Sequence, residues 1–376
     1  MHLSRLHLRN YRNFAEQALE IPAQGAAIVG DNGQGKTNLL EAVYYLEIFR
    51  SFRGAPDEQL VRFGEDVFRV EGRMEDDEGR TRSVSAAFDR RGRKKKVTVN
   101  NAEPERLGDA LGQVGAVIFS PSDVELVGGG PGARRRFLDI VLSLAEPGYL
   151  QALQRYRQTL FQRNTLLRQN KPRAMVELWD DGLVAAGSRV AAARAAWVRE
   201  HAASFAEHYA RVAGGHPGHM TYASSAPELG EAATTEDVAA AFAAALAKNA
   251  DREQRRGMTL VGPHRDDLRF TITGADGTAL ELRTYGSGGQ QRTAAIALRM
   301  VEAETIHAVR GRQPIVLLDD VFAELDPGRS QRIVDWIENE EGGGQVLLTS
   351  PKPTDFRLRG ETLPRWGIRD GVILAG

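Results

Sequence analysis

The chain has 376 residues, with 49 Lys or Arg against 50 Asp or Glu, a formal net charge of −1 and no cysteine. That length exceeds the usual single domain, so two lobes are expected, each large enough for its own core. The near-neutral balance excludes a whole-chain attraction to nucleic acid, and the lack of cysteine excludes disulfides and thiolate metal sites and fits a reducing, cytoplasmic setting.

The opening MHLSRLHLRNYRNF interrupts its apolar positions with Arg, His and Asn, so it lacks the apolar run of a signal peptide. No later stretch approaches the roughly 20 apolar residues of a membrane span, and a soluble protein with no membrane partner is expected. Residues 25–30, GAAIVG, form a short apolar run closing on glycine, which predicts a buried strand before a loop. That loop is GDNGQGKT, residues 30–37, which satisfies G-x-x-x-x-G-K-[ST] and leads into the helical pattern NLLEAVYYLEIF. In such a loop the backbone N–H groups of Gly30, Asp31, Asn32, Gly33, Gln34 and Gly35 converge on phosphate oxygens and the helix N-terminus adds a favourable field. Lys36 reaches the β- and γ-phosphates and Thr37 gives a hydroxyl to Mg²⁺. ATP and magnesium are therefore the expected cofactors.

Val67 to Met74, Val84 to Phe88 and Val97 to Val99 alternate with polar residues across turn compositions, predicting antiparallel hairpins. The run RRGRKKK at 90–96 places Lys94, Lys95 and Lys96 on one of them, as DNA contacts or as a charged edge. From about Asp123 to Gln254 the pattern becomes helical. Residues 133–173 hold nine Arg or Lys against two acids, a local excess of 9 − 2 = +7. Arg134, Arg135 and Arg136 open one helix after GGGPGA, a placement suited to phosphate-backbone contacts, although charge runs on helices also serve as solvated faces.

Strands resume in LRFTITGADGTALELRTY, a hairpin turning at Gly274-Ala275-Asp276-Gly277, followed by a helix from about Gly288 to Arg310 and a buried strand in PIVLLDDVF. This order predicts one mixed α/β head, residues 1–120 and 256–376, interrupted by a mainly helical lobe at 121–255. Three independent domains are the alternative.

YGSGGQQRT, residues 285–293, is a second glycine-rich loop opening a helix. Two cradles on one chain would compete for one set of phosphates, so Ser287, Gly288, Gly289 and Gln290 are read as capping a nucleotide held by another subunit; alone, the loop reads as a helix N-cap. In IVLLDD, Asp319 stands where a P-loop protein holds its metal, and Asp320 points toward the γ-phosphate to orient or activate the attacking water.

P-loop, SGGQ and apolar-Asp-Asp in this order resemble ABC-type ATPase heads. With LRNYRNF at 8–14, FSPSDVELVGGGPGARRRFLD at 119–139, RYRQTLFQRNTLL at 155–167, GPHRDDL at 262–268 and LLDDVFAELD at 317–326, nearly the whole chain resembles the RecF family of bacterial recombination-repair proteins, relatives of SMC-type DNA ATPases. The resemblance implies an ABC-type P-loop ATPase head with a helical insertion and a weak, DNA-stimulated ATPase. It also implies a homodimer that closes on ATP around duplex, gapped or single-stranded DNA and opens on hydrolysis. A RecR-like mediator, recombinase loading, and roles in replication and the SOS response follow from the same source. Two positions depart from the wider ABC pattern. Asp320 stands where transporters carry Glu, implying slower hydrolysis, and Thr349-Ser350 replace the switch histidine, leaving the γ-phosphate sensor unassigned. His264, Asp266 and Asp267 read as a hydrogen-bonded network in preference to a metal trio. A transporter ATPase subunit and a small-molecule kinase are the rival readings.

Overall fold

Alternation in the first hundred residues becomes strand register. In the protein's structure, a computed structural model, residues 1–226, 234–274, 276–339, 344–351, 357–358 and 361–375 are described. The first stretch contains β1 (His2–Tyr11), β2 (Phe14–Glu20), β3 (Gly25–Val29), α1 (Lys36–Ile48), β4 (Val67–Glu75), β5 (Thr81–Asp89), β6 (Lys94–Val99) and β7 (Ala116–Phe119). An antiparallel sheet runs in the order β2-β1-β4-β5-β6. Phe68 opposes Phe88 and Val70 opposes Ala86, so these four side chains lie on one buried face, and a one-residue slip would turn them all to water. α1 lies over that face, with Leu46 so close that a Cβ on Gly72 would meet it at 2.7 Å.

Residues 124–295 form a unit of their own, while 1–123 and 296–376 form the other. The second unit contains α2 (Glu125–Gly128), α3 (Pro131–Ala145), α4 (Tyr149–Arg168), α5 (Arg173–Glu177), α6 (Asp180–Ala213), β8 (Gly218–Ala223), α7 (Thr235–Arg256), β9 (Asp267–Thr273), β10 (Ala279–Glu281) and α8 (Leu282–Tyr285). It therefore extends past the expected end at 255 as far as Ala295. The reason is β8, a strand too short to stand out between HP and SS. Its pairing with β9, from Gly218↔Ile272 to Ala223↔Asp267, draws the later hairpin into this unit. Ala275 of that hairpin's expected turn lies outside the described residues, and Gly277 N–H closes the turn on the Gly274 carbonyl at 3.0 Å.

α9 (Gly288–Arg310) is followed by β11 (Ile315–Leu318), α10 (Pro327–Glu338), β12 (Val346–Ser350), β13 (Arg357–Leu358), β14 (Glu361–Thr362), β15 (Arg365–Arg369) and β16 (Val372–Ala375). The central sheet of the first unit has the order β16-β15-β3-β12-β11-β7. Its strands are parallel except for β16. β11, β12 and β7 are buried throughout, as strands covered on both faces should be. α1 is buried from Leu39 to Ile48 on every side, which makes its two glutamates costly unless paired. Glu41 accepts both Nε and Nη2 of Arg12, at 2.7 and 2.9 Å, and Glu47 accepts the N–H groups of Val114 and Gly115. The carboxyl ends of the parallel strands, where α/β sheets place their ligands, carry the chemistry of the first unit.

Candidate nucleotide site

The loop after β3 can exist only where a side chain is missing. A Cβ on Gly30 would sit 2.5 Å from the Ile368 carbonyl, so glycine lets the loop pass against β15. Gly35 has φ 113 in the left-handed region, and a Cβ there would strike the Asn13 amide at 2.5 Å. Asn13, from the β1–β2 turn, donates to the Gln34 carbonyl at 2.8 Å and accepts from Asn38 at 2.8 Å. The β15–β16 turn supports the same residue: Asp370 N–H donates to Gln34 Oε1 at 2.6 Å and Gly371 N–H to the Gln34 carbonyl at 3.1 Å. The buried Lys36 ammonium donates to the carbonyls of Gly30 and Asp31 at 2.8 and 3.2 Å and to Asn32 Oδ1 at 3.3 Å, and lies 3.9 Å from Asp320 Oδ2. A cation is thereby stationed over a ring of backbone, the requirement for holding a polyphosphate.

Asp319 follows β11 directly, its N–H bonded to the Phe119 carbonyl at 2.9 Å. The Thr37 hydroxyl donates to its carboxylate, 2.8 Å from Oδ1 and 3.0 Å from Oδ2. Burial raises the Asp319 pKa, the Thr37 and Thr349 hydroxyls pull it down, and the neighbouring Asp320 charge adds to the rise. A cation beside it would reverse that balance. Thr37 and Asp319 are hard oxygen donors suited to magnesium, which usually takes one or two carboxylates plus substrate phosphates in preference to an all-protein cage. No group of three or more His, Cys, Asp or Glu able to hold a metal occurs among the described residues. Asp320 has φ 47, a left-handed backbone that a non-glycine residue adopts only when its surroundings hold it there.

Sequence reasoning misses Arg53, whose guanidinium donates to Asn38 Oδ1 at 3.3 Å and whose charge helps lower the Asp319 pKa. Nothing in SFRG marks it, because its proximity is made by the fold. Asn13 and Arg12 are legible only as part of LRNYRNF.

The second loop belongs to residues 124–295, and Ser287 is exposed. Its hydroxyl accepts Gln290 N–H at 3.2 Å while Ser287 N–H donates to Gln290 Oε1 at 2.8 Å, a reciprocal capping box on α9. Within one chain the loop is thus an N-cap, and a Cβ on Gly288 would meet nothing within 4 Å.

Three of the six DNA candidates are corrected. Arg134 is 2% exposed, makes a bidentate pair with Asp267 at 2.7 and 2.9 Å, and donates to the carbonyls of Val127 and Gly129, so it is buried among partners of its own chain and out of reach of a phosphate backbone. Arg135 is half-buried and donates to the Asp266 carbonyl at 2.9 Å. Lys95 turns inward to Asp57 and the Phe49 carbonyl, both at 2.6 Å. Arg136, Lys94 and Lys96 remain exposed, Lys96 2.6 Å from Glu103. The +7 excess is local in sequence only, since Arg163 pairs with Asp180 and Glu253, Arg157 with Asp139 and Arg173 with Glu177. Arg134→Met should destabilise residues 124–295 by about 3–5 kcal/mol, because it strands a carboxylate and the Val127 and Gly129 carbonyls, whereas the exposed Arg136→Ala should cost about 1 kcal/mol or less. Urea unfolding of each variant checks this; equal midpoints would return Arg134 to the surface.

GPHRDD is a hydrogen-bonded network. Burial pushes His264 down to about 4, so the imidazole is neutral near pH 7. Nε2 lies 3.1 Å from the Thr259 carbonyl and must carry the proton, leaving Nδ1 to accept from Tyr156 OH at 2.6 Å. Asp266 accepts Tyr222 OH at 2.6 Å and Ser225 N–H at 2.7 Å.

A family model described as "RecF/RecN/SMC N terminal domain" matches residues 2–363. A "DNA replication and repair protein RecF" of Synechococcus sp. (strain JA-3-3Ab) is 40% identical over 356 residues, 93% of this chain and 91% of that protein. Its counterpart in Oceanobacillus iheyensis is 36% identical over 388 residues, covering 99% and 100%. The solved "Structure of the recombination mediator protein RecF-ATP in RecFOR pathway" superposes with a TM-score of 0.89 at 30% identity, covering 100% of this chain and 97% of that one. These likenesses favour the repair reading over a transporter subunit, and no described helix is long and apolar enough to cross a membrane.

Proposed function

The chain belongs to the RecF family of DNA replication and repair proteins, and from that premise we propose that it is an ATP-dependent DNA-binding protein of recombinational repair. The observation that carries the reading is the junction of loop and acid: Thr37 at the head of α1 donating to Asp319 after β11, with the Lys36 ammonium 3.9 Å from the adjacent Asp320. Gly30 to Thr37 bind the triphosphate, Thr37 and Asp319 hold magnesium, and Asp320 orients the attacking water. Magnesium, when bound, neutralises charge between the phosphates. Ser287, Gly288, Gly289 and Gln290 act in trans on the nucleotide of a second copy, so that ATP closes a homodimer on duplex, gapped or single-stranded DNA and slow hydrolysis reopens it. A RecR-like mediator is the expected partner, and its support is that solved relatives are described as recombination mediators of the RecFOR pathway. Roles in replication and the SOS response, and a cytoplasmic location, belong to the same proposal.

Equilibrium binding to duplex, gapped and single-stranded DNA, with and without ATP and across salt, tests it. ATP should tighten binding at least about ten-fold, with an affinity that falls log-linearly with salt and little dependence on base sequence. Binding indifferent to ATP at every salt would sink the reading.

A further inference from the structure

Thr349 stands at the crossing of the site. β12 lies between β3, which delivers the phosphate loop, and β11, which delivers the acids. Its other residues from Val346 to Leu348 are apolar, yet position 349 is a hydroxyl with 2% exposure. Burying a hydroxyl is costly unless it is bonded, and this one both accepts and donates. It accepts the Asp320 N–H at 2.9 Å, donates to Asp319 Oδ1 at 3.0 Å, and lies 3.3 Å from Asp320 Oδ1. The next residue continues the connection, since the Ser350 carbonyl accepts Gly30 N–H at 3.3 Å.

Asp320 occupies the left-handed region, and the two acids point to different partners: Asp319 to the Thr37 hydroxyl, Asp320 to the Lys36 ammonium. Adjacent carboxylates repel and, without restraint, can turn to water. A hydroxyl that holds the N–H of one and a carboxylate oxygen of the other fixes both the backbone turn and the divergence of the side chains.

We infer that Thr349 is the positioning residue for the Asp319–Asp320 pair, setting the metal-side carboxylate and the water-side carboxylate at once. This rests on the nucleotide-site reading above. Thr349 acts through the two acids. A valine has the same shape and lacks the hydroxyl, and a serine keeps the hydroxyl and lacks the methyl.

The test uses the full chain with Thr349→Val, Thr349→Ser and Thr349→Ala beside Lys36→Ala, measuring ATP affinity in EDTA, its enhancement on adding Mg²⁺, and steady-state kcat and KM. Thr349→Val should bind ATP in EDTA within about two-fold of wild type, lose about ten-fold of the magnesium enhancement, and lose ten-fold or more in kcat with KM little changed. Thr349→Ser should restore both quantities to within about three-fold. If Thr349→Val does not fold, the comparison of Ser with Ala decides on the same criterion. The inference is overturned if the hydroxyl-free variants keep wild-type magnesium enhancement and kcat, or if Ser is as impaired as they are, since packing alone would then explain position 349. Unchanged ATP affinity in Lys36→Ala would instead remove the nucleotide site and this inference with it.

Discussion

Lys36→Ala loses at least about a hundred-fold in ATP affinity, the equivalent of two charge-assisted hydrogen bonds at roughly 1.5–3 kcal/mol each. The ammonium is buried and held by three oxygens of its own loop, so it is placed before any phosphate arrives and little ordering cost offsets its contribution. Its loss also leaves the Gly30 and Asp31 carbonyls without the donor that holds them. The loop itself should survive, since Asn13, Asp370 and Gly371 hold Gln34 independently of Lys36. Fluorescent-nucleotide titration, with circular dichroism melting as the fold control, checks the result; a folded variant within three-fold of wild type would remove the P-loop assignment. ATP-dependent DNA binding should disappear together with ATP affinity.

Mixing Lys36→Ala with Ser287→Arg protein should restore turnover that neither has alone. Each mixed dimer would hold one site damaged from both sides and one intact on both, so an equal mixture should recover roughly a quarter of wild-type activity for a freely exchanging two-fold dimer. The capping box makes the control explicit. Arginine at 287 forfeits a cap worth about 1 kcal/mol, so its melting temperature must be compared with Ser287→Asp, which keeps a capping side chain while adding an unwanted charge opposite phosphate. Both should bind ATP near normally and fail to close. An absence of recovery, with mixed dimers demonstrated by native mass spectrometry, would end the case for sites that each work independently in trans.

What could be read before folding divides by distance along the chain. The P-loop, the strand ending in Asp319-Asp320 and the helix from Gly288 to Arg310 are local patterns, because each is defined by neighbours within a few turns or a few strand residues. β8 escapes because six residues between HP and SS give too short a period, and without it β9 and β10 group with the later strands. The arginines mislead for a different reason. Arg134 meets Asp267 across 133 positions and Arg163 meets the distant Glu253 at 2.7 Å, so a charge excess counted in a window says nothing about which charges neutralise one another in space. Arg53 is legible only once α1 is folded, as its partner Asn38 is an unremarkable helix residue.

The three-sided support of Gln34 bears on the order in which the chain is made. β3 appears within the first thirty residues, but its neighbours in the sheet, β12 and β15, and the turn at Asp370–Gly371 come from the far end. A ribosome therefore releases the phosphate loop with only Asn13 already made to brace it, and the growing chain passes through some three hundred residues before Asp370 and Gly371 follow. Nucleotide stabilises only what can bind it. ATP is therefore expected to favour chains in which β12, β15 and the Asp370–Gly371 turn have already joined β3, so nucleotide couples the two ends of the head.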